Sequence, residues 1–193
     1  MSEHMNSNAC AWPVPELSEL PEDIRQRITD VSDKAGFIPN VFVALSRRPD
    51  EFRAFFDYHD ALMLKESGNL SKADREMIVV ATSAANSCHY CVIAHGALLR
   101  IYSKKPLLAD QVAVNFRRAD ITAREMAILE YAVKVATDSA TLTEADKIAV
   151  KQHGLDDEDI WDIAGITAFF GMSNRLANAL EMRPNDEFYM MAR

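Results

Sequence analysis

The sequence predicts an all-α fold, in which many helices build one compact domain. Three observations lead to this prediction. Apolar residues recur at helical spacing along most segments, three segments begin with the same helix-starting motif, and no stretch alternates apolar and polar residues for long enough to form a sheet. Hydrophobic residues make up 49% of the 193 residues, so the chain can build a substantial core without disulfide bonds.

The beginning of the chain differs from the rest. Residues 1–20 are interrupted by prolines and are expected to form an irregular arm, whereas residues 21–193 are expected to form a single helical domain. Acidic residues after Pro21 favour a helix start, because carboxylates stabilise the positive end of the helix dipole. Glycine and proline then set the limits of three predicted helices, at about 22–34, 40–45 and 49–67.

Aromatic residues form a stripe on the third of these helices, at Phe52, Phe55 and Phe56. An aromatic stripe at helical spacing usually faces a core, so we interpret this one as core, with a subunit interface as the alternative.

Three later helices share a capping motif. In each, a hydroxyl residue stands three positions before an acid and follows an apolar residue, which is the capping box with its hydrophobic staple. The three motifs are Ser71-x-x-Asp74, Thr122-x-x-Glu125 and Thr143-x-x-Asp146. Further helices are predicted at about 91–99, 107–116 and 156–182, although Gly165 and Gly171 weaken the last one.

Charge and composition exclude several classes of function. The net charge is −8 at pH 7, and an acidic surface repels nucleic acid and anionic membranes. No apolar run approaches the roughly 20 residues that a membrane helix needs, and no secretion signal is recognisable. We therefore expect a cytoplasmic protein, whose reducing surroundings keep its 3 cysteines as thiols.

The candidate chemistry lies at Cys88, Cys91 and His95. Two thiols separated by two residues can form a disulfide, and on a helix His95 shares a face with Cys91, where its imidazole can accept a thiol proton. A helix start, however, stabilises a thiolate at Cys88. The two arguments favour different sulfurs, so the residues alone leave the first attack open. Glu76, on the preceding helix, is the candidate that orients His95.

The pattern Glu76-x11-Cys88-x2-Cys91-x3-His95, on paired helices of an all-α chain, resembles the alkylhydroperoxidase D family of the carboxymuconolactone decarboxylase-like superfamily. The phrase Cys-x-Tyr-Cys-x-x-Ala-His is similar to its uncharacterised peroxidase-related branch. The close match covers roughly residues 70–102, and a looser likeness extends from about residue 37 to residue 180.

The resemblance implies a thiol-dependent peroxidase that needs no cofactor or metal. Cys91, paired with His95, would meet the hydroperoxide and become a sulfenic acid, and Cys88 would resolve it as a disulfide. Glu76 and His95 would relay protons. An external dithiol or redoxin would then reduce the disulfide. The resemblance also implies a homo-oligomer, either a trimer or a hexamer.

One position departs from the family pattern. Founding members carry a second histidine immediately before the second cysteine, whereas this chain has Tyr90 there and His89 one residue earlier. The departure bears on the efficiency of the enzyme and on its substrate. We treat Tyr90 and His89 as supporting residues. Our hypothesis is that the Tyr90 hydroxyl donates a hydrogen bond to the thiol network.

Other interpretations of the same residues compete with this one. Zinc could use Cys88, Cys91 and His95 with His89 as a fourth ligand, but structural zinc sites usually draw ligands from well-separated pairs. Two inert buried thiols are a second alternative. Among functions, a decarboxylase-like lyase on the same scaffold would not need the thiol pair, and a non-enzymatic redox sensor would use it without turnover.

Overall fold

The computed structural model describes residues 5–193, and within them ten α-helices and no β-strand are present. The all-α prediction is confirmed. The helices are α1 (Glu22–Ala35), α2 (Asn40–Ser46), α3 (Pro49–Met63), α4 (Lys72–Ala85), α5 (His89–Ser103), α6 (Leu108–Asn115), α7 (Ala123–Asp138), α8 (Glu144–Lys151), α9 (Asp157–Ala179) and α10 (Asp186–Met190).

The helix limits follow local sequence signals. Gly36 ends α1 in the left-handed conformation, with φ of 84°, and its N–H bonds to the Ser32 carbonyl. The side chains of the capping residues Ser71 and Thr122 each accept a hydrogen bond from the backbone N–H of the acid three positions later. The carboxylate of that acid accepts one from the backbone N–H of the capping residue. At α8, Asp146 accepts from the Thr143 N–H at 2.7 Å. Local hydrogen bonding therefore starts these helices where the sequence predicts.

Helix α4 is the centre of the fold. It packs against α5, α6, α7 and α9, and its residues 74–83 are all buried. Burial over more than two consecutive turns means that protein surrounds the helix on every side. The three adjacent charged residues in this stretch, Asp74, Arg75 and Glu76, therefore need partners inside the protein.

A second hydrophobic cluster joins α1, α2 and α3. Phe52 and Phe56 are buried in it beside Ile24 and Ile28, and Phe56 stacks on Phe42 at 4.1 Å between ring centroids. The core interpretation of the aromatic stripe is confirmed for these two rings.

Part of the predicted arm lies outside the described residues, which exclude positions 1–4. Residues 5–20 are irregular except for a 3₁₀ turn at Leu17–Glu19. They pack on the end of the chain, where the Ala11 N–H donates to the Leu180 carbonyl and the Arg183 N–H donates to the Ala9 carbonyl.

Helix α9 is continuous over its 23 residues, through both internal glycines. A Cβ atom added at Gly165 would lie 3.1 Å from Leu62 Cδ2 on α3, so the missing side chain allows α3 to approach α9 closely. The continuous helix brings its later turns alongside the end of α4 and the start of α5.

None of the helices in residues 5–193 is both long enough and apolar enough to cross a membrane.

Candidate functional site

The turn between α4 and α5 positions the two cysteines. Ser87 adopts a left-handed conformation, with φ of 53°, which a non-glycine residue rarely takes. The Cys88 N–H donates to the Ser83 carbonyl at 2.9 Å, and Cys88 is the N-cap residue of α5. The reversal of the chain therefore occurs at Asn86–Ser87, and it holds Cys88 at a helix start against the end of α4.

Both thiols are buried and reduced. Cys88 is 1% exposed and Cys91 is 2% exposed, and both are free. A hydrogen bond from the Cys91 side chain lowers the pKa of Cys88 from 9.0 to about 7, against the effect of burial, and the Cys91 backbone N–H adds to the lowering. The same thiol contact and burial raise the pKa of Cys91 well above its usual value.

The order of the two pKa values has a local cause. Cys88 precedes the first turn of α5, where unpaired backbone N–H groups stabilise a negative charge. These groups therefore favour a thiolate on Cys88 over one on Cys91, with the Cys91 S–H donating to Cys88. The resemblance gives Cys91 the first contact with the hydroperoxide, so resting charge and implied first attack fall on different sulfurs.

Glu76 and His95 form a buried pair between α4 and α5. The His95 Nδ1 atom lies 2.7 Å from Glu76 Oε2. A carboxylate only accepts hydrogen bonds, so in the neutral imidazole this contact places the proton on Nδ1 and leaves Nε2 as the acceptor. Phe170 of α9 packs edge-on against the imidazole, with 4.7 Å between ring centroids. The structure thus brings Glu76 to the histidine, as the spacing suggested.

His95 is slightly exposed, whereas the two cysteines are buried. Its side chain is 13% exposed and that of Glu76 is 6% exposed. Its charge contributes to the lowered pKa of Cys88, so the imidazole is close enough to influence the thiol.

The two supporting candidates, Tyr90 and His89, form hydrogen bonds with residues other than Glu76 and His95. The hydroxyl of the buried Tyr90 accepts a hydrogen bond from the Val41 N–H at 3.0 Å, at the start of α2. Burial raises the pKa of Tyr90. His89 is exposed, and its Nε2 lies 2.7 Å from the Tyr189 hydroxyl on α10. Tyr90 thus ties α5 to α2, and His89 ties it to the end of the chain.

Sequence reasoning missed a group of uncharged polar residues around the thiols. Asn174 is fully buried on α9 and hydrogen-bonds to Ser83 and Asn86 at the end of α4. Ser173 Oγ lies 3.9 Å from Cys91 Sγ. The signal for this group is polarity at helical spacing among apolar residues, since Asn174 follows Phe170 by one turn and precedes Ala177 by one turn.

In residues 5–193, no group of three His, Cys, Asp or Glu side chains is arranged to hold a metal ion. Two surface concavities, of about 480 and 630 Å³, lie away from the thiols. The first is lined mainly by α7 and α8, and the second by the arm and the segment around Asn185.

The arrangement can support redox chemistry of a thiol pair. Two thiols interact at a helix start, and an oriented imidazole on the same helix is close enough for its charge to act on Cys88. The burial of both sulfurs restricts the site to small reactants or to reactants admitted by local opening.

Comparisons with known proteins show the family of the chain and its fold relatives. The Carboxymuconolactone decarboxylase family matches residues 49–138. The crystal structure of an alkylhydroperoxidase AhpD core, an uncharacterized peroxidase-related protein from Ralstonia eutropha, is 66% identical, with 96% of this chain and 97% of that chain covered and a TM-score of 0.94. No curated protein matches the sequence.

Two further structures extend the comparison. An uncharacterized peroxidase-related protein from Silicibacter sp. is 38% identical, with both chains fully covered and a TM-score of 0.91. The debrominase Bmp8 shares the fold, with a TM-score of 0.76, 19% identity and 97% of each chain covered. On the strength of the two peroxidase-related relatives and the family match, the chain belongs to the carboxymuconolactone decarboxylase family, in its alkylhydroperoxidase D-like, peroxidase-related branch.

Proposed function

We propose that the protein is a thiol-dependent peroxidase that reduces hydroperoxides through Cys88 and Cys91, with Glu76 and His95 relaying protons. One observation carries the proposal: a buried thiol pair at a helix start adjoins an oriented imidazole–carboxylate pair. The peroxidase-related names of the two most similar structures described above support the same reaction class.

The proposed reaction balances within the thiol pair. A thiolate attacks one oxygen of the hydroperoxide, the O–O bond breaks, and the leaving alkoxide takes a proton through His95, which leaves a sulfenic acid on the sulfur. The second thiol attacks that sulfur, a disulfide forms, and water leaves. The hydroperoxide is reduced to an alcohol, and the two thiols are oxidised. An external dithiol or redoxin restores them by thiol–disulfide exchange.

Three further elements of the proposal concern the setting of the enzyme. A cytoplasmic location would supply the reductant, since that compartment keeps dithiols reduced. A homo-oligomer, trimeric or hexameric, stays a prediction that light scattering of the purified protein measures. Neither a cofactor nor a metal takes part in the proposed cycle.

Thiol counting with peptide mapping tests the proposal. The protein is reduced, freed of reductant and mixed with a slight excess of an organic hydroperoxide, and free thiols and peptide masses are followed with time. We expect rapid loss of two thiols and a peptide bridged between Cys88 and Cys91. A Cys10→Ser variant is the matched control, because Cys10 lies in the arm and its loss should leave both results unchanged.

A recycling assay separates an enzyme from a sensor. With excess dithiothreitol, a peroxidase consumes many equivalents of hydroperoxide, whereas a redox sensor consumes one. Thiols that remain free and unoxidised would contradict both, and would direct attention to a lyase reaction on the same scaffold.

A further inference from the structure

One face of α9 is apolar and open to solvent along most of the helix. Trp161 is 76% exposed, Met172 is 45% exposed and Leu176 is 37% exposed, although large apolar side chains are usually buried. Small residues continue the same face at intervals of three or four positions, which is the spacing of one side of a helix. The face consists of Trp161, Ala164, Gly165, Ala168, Met172, Leu176 and Ala179.

The apolar face continues onto α3. Tyr58 is 50% exposed and packs edge-on against Phe169 of α9, with 5.5 Å between ring centroids. Its hydroxyl would lie 3.9 Å from a Cβ atom added at Gly165. Ala61 and Leu64 follow Tyr58 at helical spacing and are exposed as well. Two neighbouring helices thus present one contiguous apolar area, here called the α3–α9 surface, and such areas mark sites of association.

Opposite charges stand at the two ends of α9 on this side of the molecule. Asp157 and Glu158 are exposed in its first turn, and Arg175 is exposed near its end, about 26 Å away along the axis. Arg175 donates to the Gly171 carbonyl of its own helix, and within residues 5–193 neither Glu158 nor Arg175 belongs to an ion pair. The charges are therefore available to a partner.

This charge arrangement fits a second copy of the same helix. In an antiparallel pair, the acids of each copy meet Arg175 of the partner subunit, and this happens at both ends of the contact. A parallel pair would instead bring acids against acids and arginine against arginine. The helix is thus complementary to itself in one orientation only.

We propose that the α3–α9 surface binds a second copy of this chain, with the two α9 helices antiparallel about a two-fold axis. Trp161 of each copy then packs near Met172 of the partner subunit, and Ala164 and Ala168 lie near the axis, where small side chains allow close approach. A two-fold contact pairs copies, so it occurs in a dimer or in a hexamer built of pairs and is absent from a ring of three. The inference rests on the homo-oligomer of the proposed function, but not on its redox chemistry.

Tryptophan fluorescence tests whether the surface is covered. The chain has 2 tryptophans, Trp12 in the arm and Trp161, so a Trp12→Phe protein reports on Trp161 alone. We expect its emission to be blue-shifted and resistant to acrylamide quenching in the native protein, although Trp161 is 76% exposed in the single chain. Urea should remove both properties. A native protein whose Trp161 is quenched as readily as in urea would overturn the proposal.

Truncation of the same residue measures its share of the contact. Trp161→Ala should raise the dissociation constant at least about 30-fold, because a large aromatic anchor carries much of the binding energy at an interface. Trp12→Ala is the matched control, since Trp12 is 51% exposed in the arm and should leave association unchanged. Light scattering over a dilution series provides the readout. Equal association of the wild type and Trp161→Ala would contradict the proposal.

A charge exchange tests the antiparallel arrangement. Arg175→Glu, and separately the double change Asp157→Lys/Glu158→Lys, should each weaken self-association at least about tenfold, because like charges then meet at both ends. A mixture of the two variants should associate again, since opposite charges meet at both ends of the mixed pair. Melting curves show that each variant is folded. Folded variants that do not associate with each other would overturn the antiparallel pairing.

Failure of this inference and failure of the proposed function are distinguishable, because none of these measurements involves a hydroperoxide. A monomer or a trimer with an exposed Trp161 overturns the inference and leaves the surface to another partner, such as the external reductant, while hydroperoxide turnover is judged separately. If Trp161 is protected and the charge exchange restores pairing in a protein that consumes no hydroperoxide, the interface stands and the peroxidase proposal fails.

Discussion

Two adjacent residues on α4, Arg75 and Glu76, are both buried and charged, and the structure uses them for different purposes. Arg75 Nη2 bonds to Asp162 of α9 at 3.0 Å, and Nη1 donates to the Leu62 carbonyl at the end of α3 at 2.8 Å. Lys65 joins Asp162 at 2.9 Å. This network ties together α3, α4 and α9 through an arginine, a lysine and an aspartate.

Glu76 instead bonds to a histidine that lies beside two thiols. Its partner is an imidazole, the group that proteins most often use to transfer protons, and its charge acts on the Cys88 thiol. The comparison shows that a buried charge alone does not mark a functional site. The partner of the buried charge distinguishes the two cases. An ion pair between fixed charges holds helices together, whereas an imidazole next to a thiol can take part in a reaction.

The largest expected effect is the loss of turnover, without loss of stability, when either cysteine of the pair is replaced. Cys88→Ser and Cys91→Ser should each abolish recycling turnover, because either change prevents the disulfide, while the thermal melting temperature stays close to that of the wild type. Cys88→Ser should still undergo one oxidation event, which dimedone labelling of the sulfenic acid detects at Cys91. Sustained turnover in either variant would contradict a two-cysteine cycle.

Glu76→Gln should reduce kcat/KM for an organic hydroperoxide by about 10²- to 10⁴-fold, the range typical of lost acid–base assistance. The amide can either accept from Nδ1 or donate to it, so the imidazole no longer has its proton fixed on Nδ1. Glu130→Gln is the control, since Glu130 on α7 forms an exposed ion pair with Arg117. Wild-type kcat/KM in Glu76→Gln would remove this residue from the relay.

Arg75→Met should lower the free energy of unfolding by about 3–5 kcal/mol, because it leaves Asp162 buried with a reduced set of partners. Activity per folded molecule should remain normal. Urea unfolding and hydroperoxide assays measure the two quantities. The double variant Arg75→Met/Asp162→Leu should recover much of the lost stability, and a double variant as unstable as the single one would show that packing of Arg75 dominates.

The pH profile of the wild type sharpens the assignment of the resting thiolate. The pKa of Cys88 is lowered to about 7, so its thiolate predominates above pH 7 and is lost as the pH falls below 7. Iodoacetamide should alkylate Cys88 with a midpoint near pH 7, and should react more slowly with Cys91, whose pKa is raised. Peptide mapping resolves the two sites, and preferential alkylation of Cys91 would reverse the assignment.

The smallest effect concerns Tyr90. Tyr90→Phe removes the acceptor of the Val41 N–H, so we expect a loss of about 1 kcal/mol in stability and little change in kcat/KM. Urea unfolding and steady-state kinetics provide the readouts. A marked fall in kcat/KM with normal stability would support the hypothesis that the Tyr90 hydroxyl donates to the thiol network.

Local signals in the sequence determined the helices. The capping boxes at Ser71 and Thr122 start α4 and α7, Gly36 ends α1, and apolar periodicity identifies the elements between them. These features depend on hydrogen bonds within a few residues, so the chain specifies them without its tertiary fold. The spacing of Cys88, Cys91 and His95 is equally local, because all three lie at the start of one helix or within it.

Only the tertiary structure decided what surrounds these residues. Asn174 reaches Ser83 and Asn86, beside the turn that leads to Cys88, from a position more than 80 residues away in the chain, because α9 packs against α4 and α5. The contact between Glu76 and His95 depends on which faces α4 and α5 present to each other. Which of the two cysteines has the lower pKa depends on burial and on hydrogen bonds. Such contacts arise from the packing of whole helices, which local spacing does not encode.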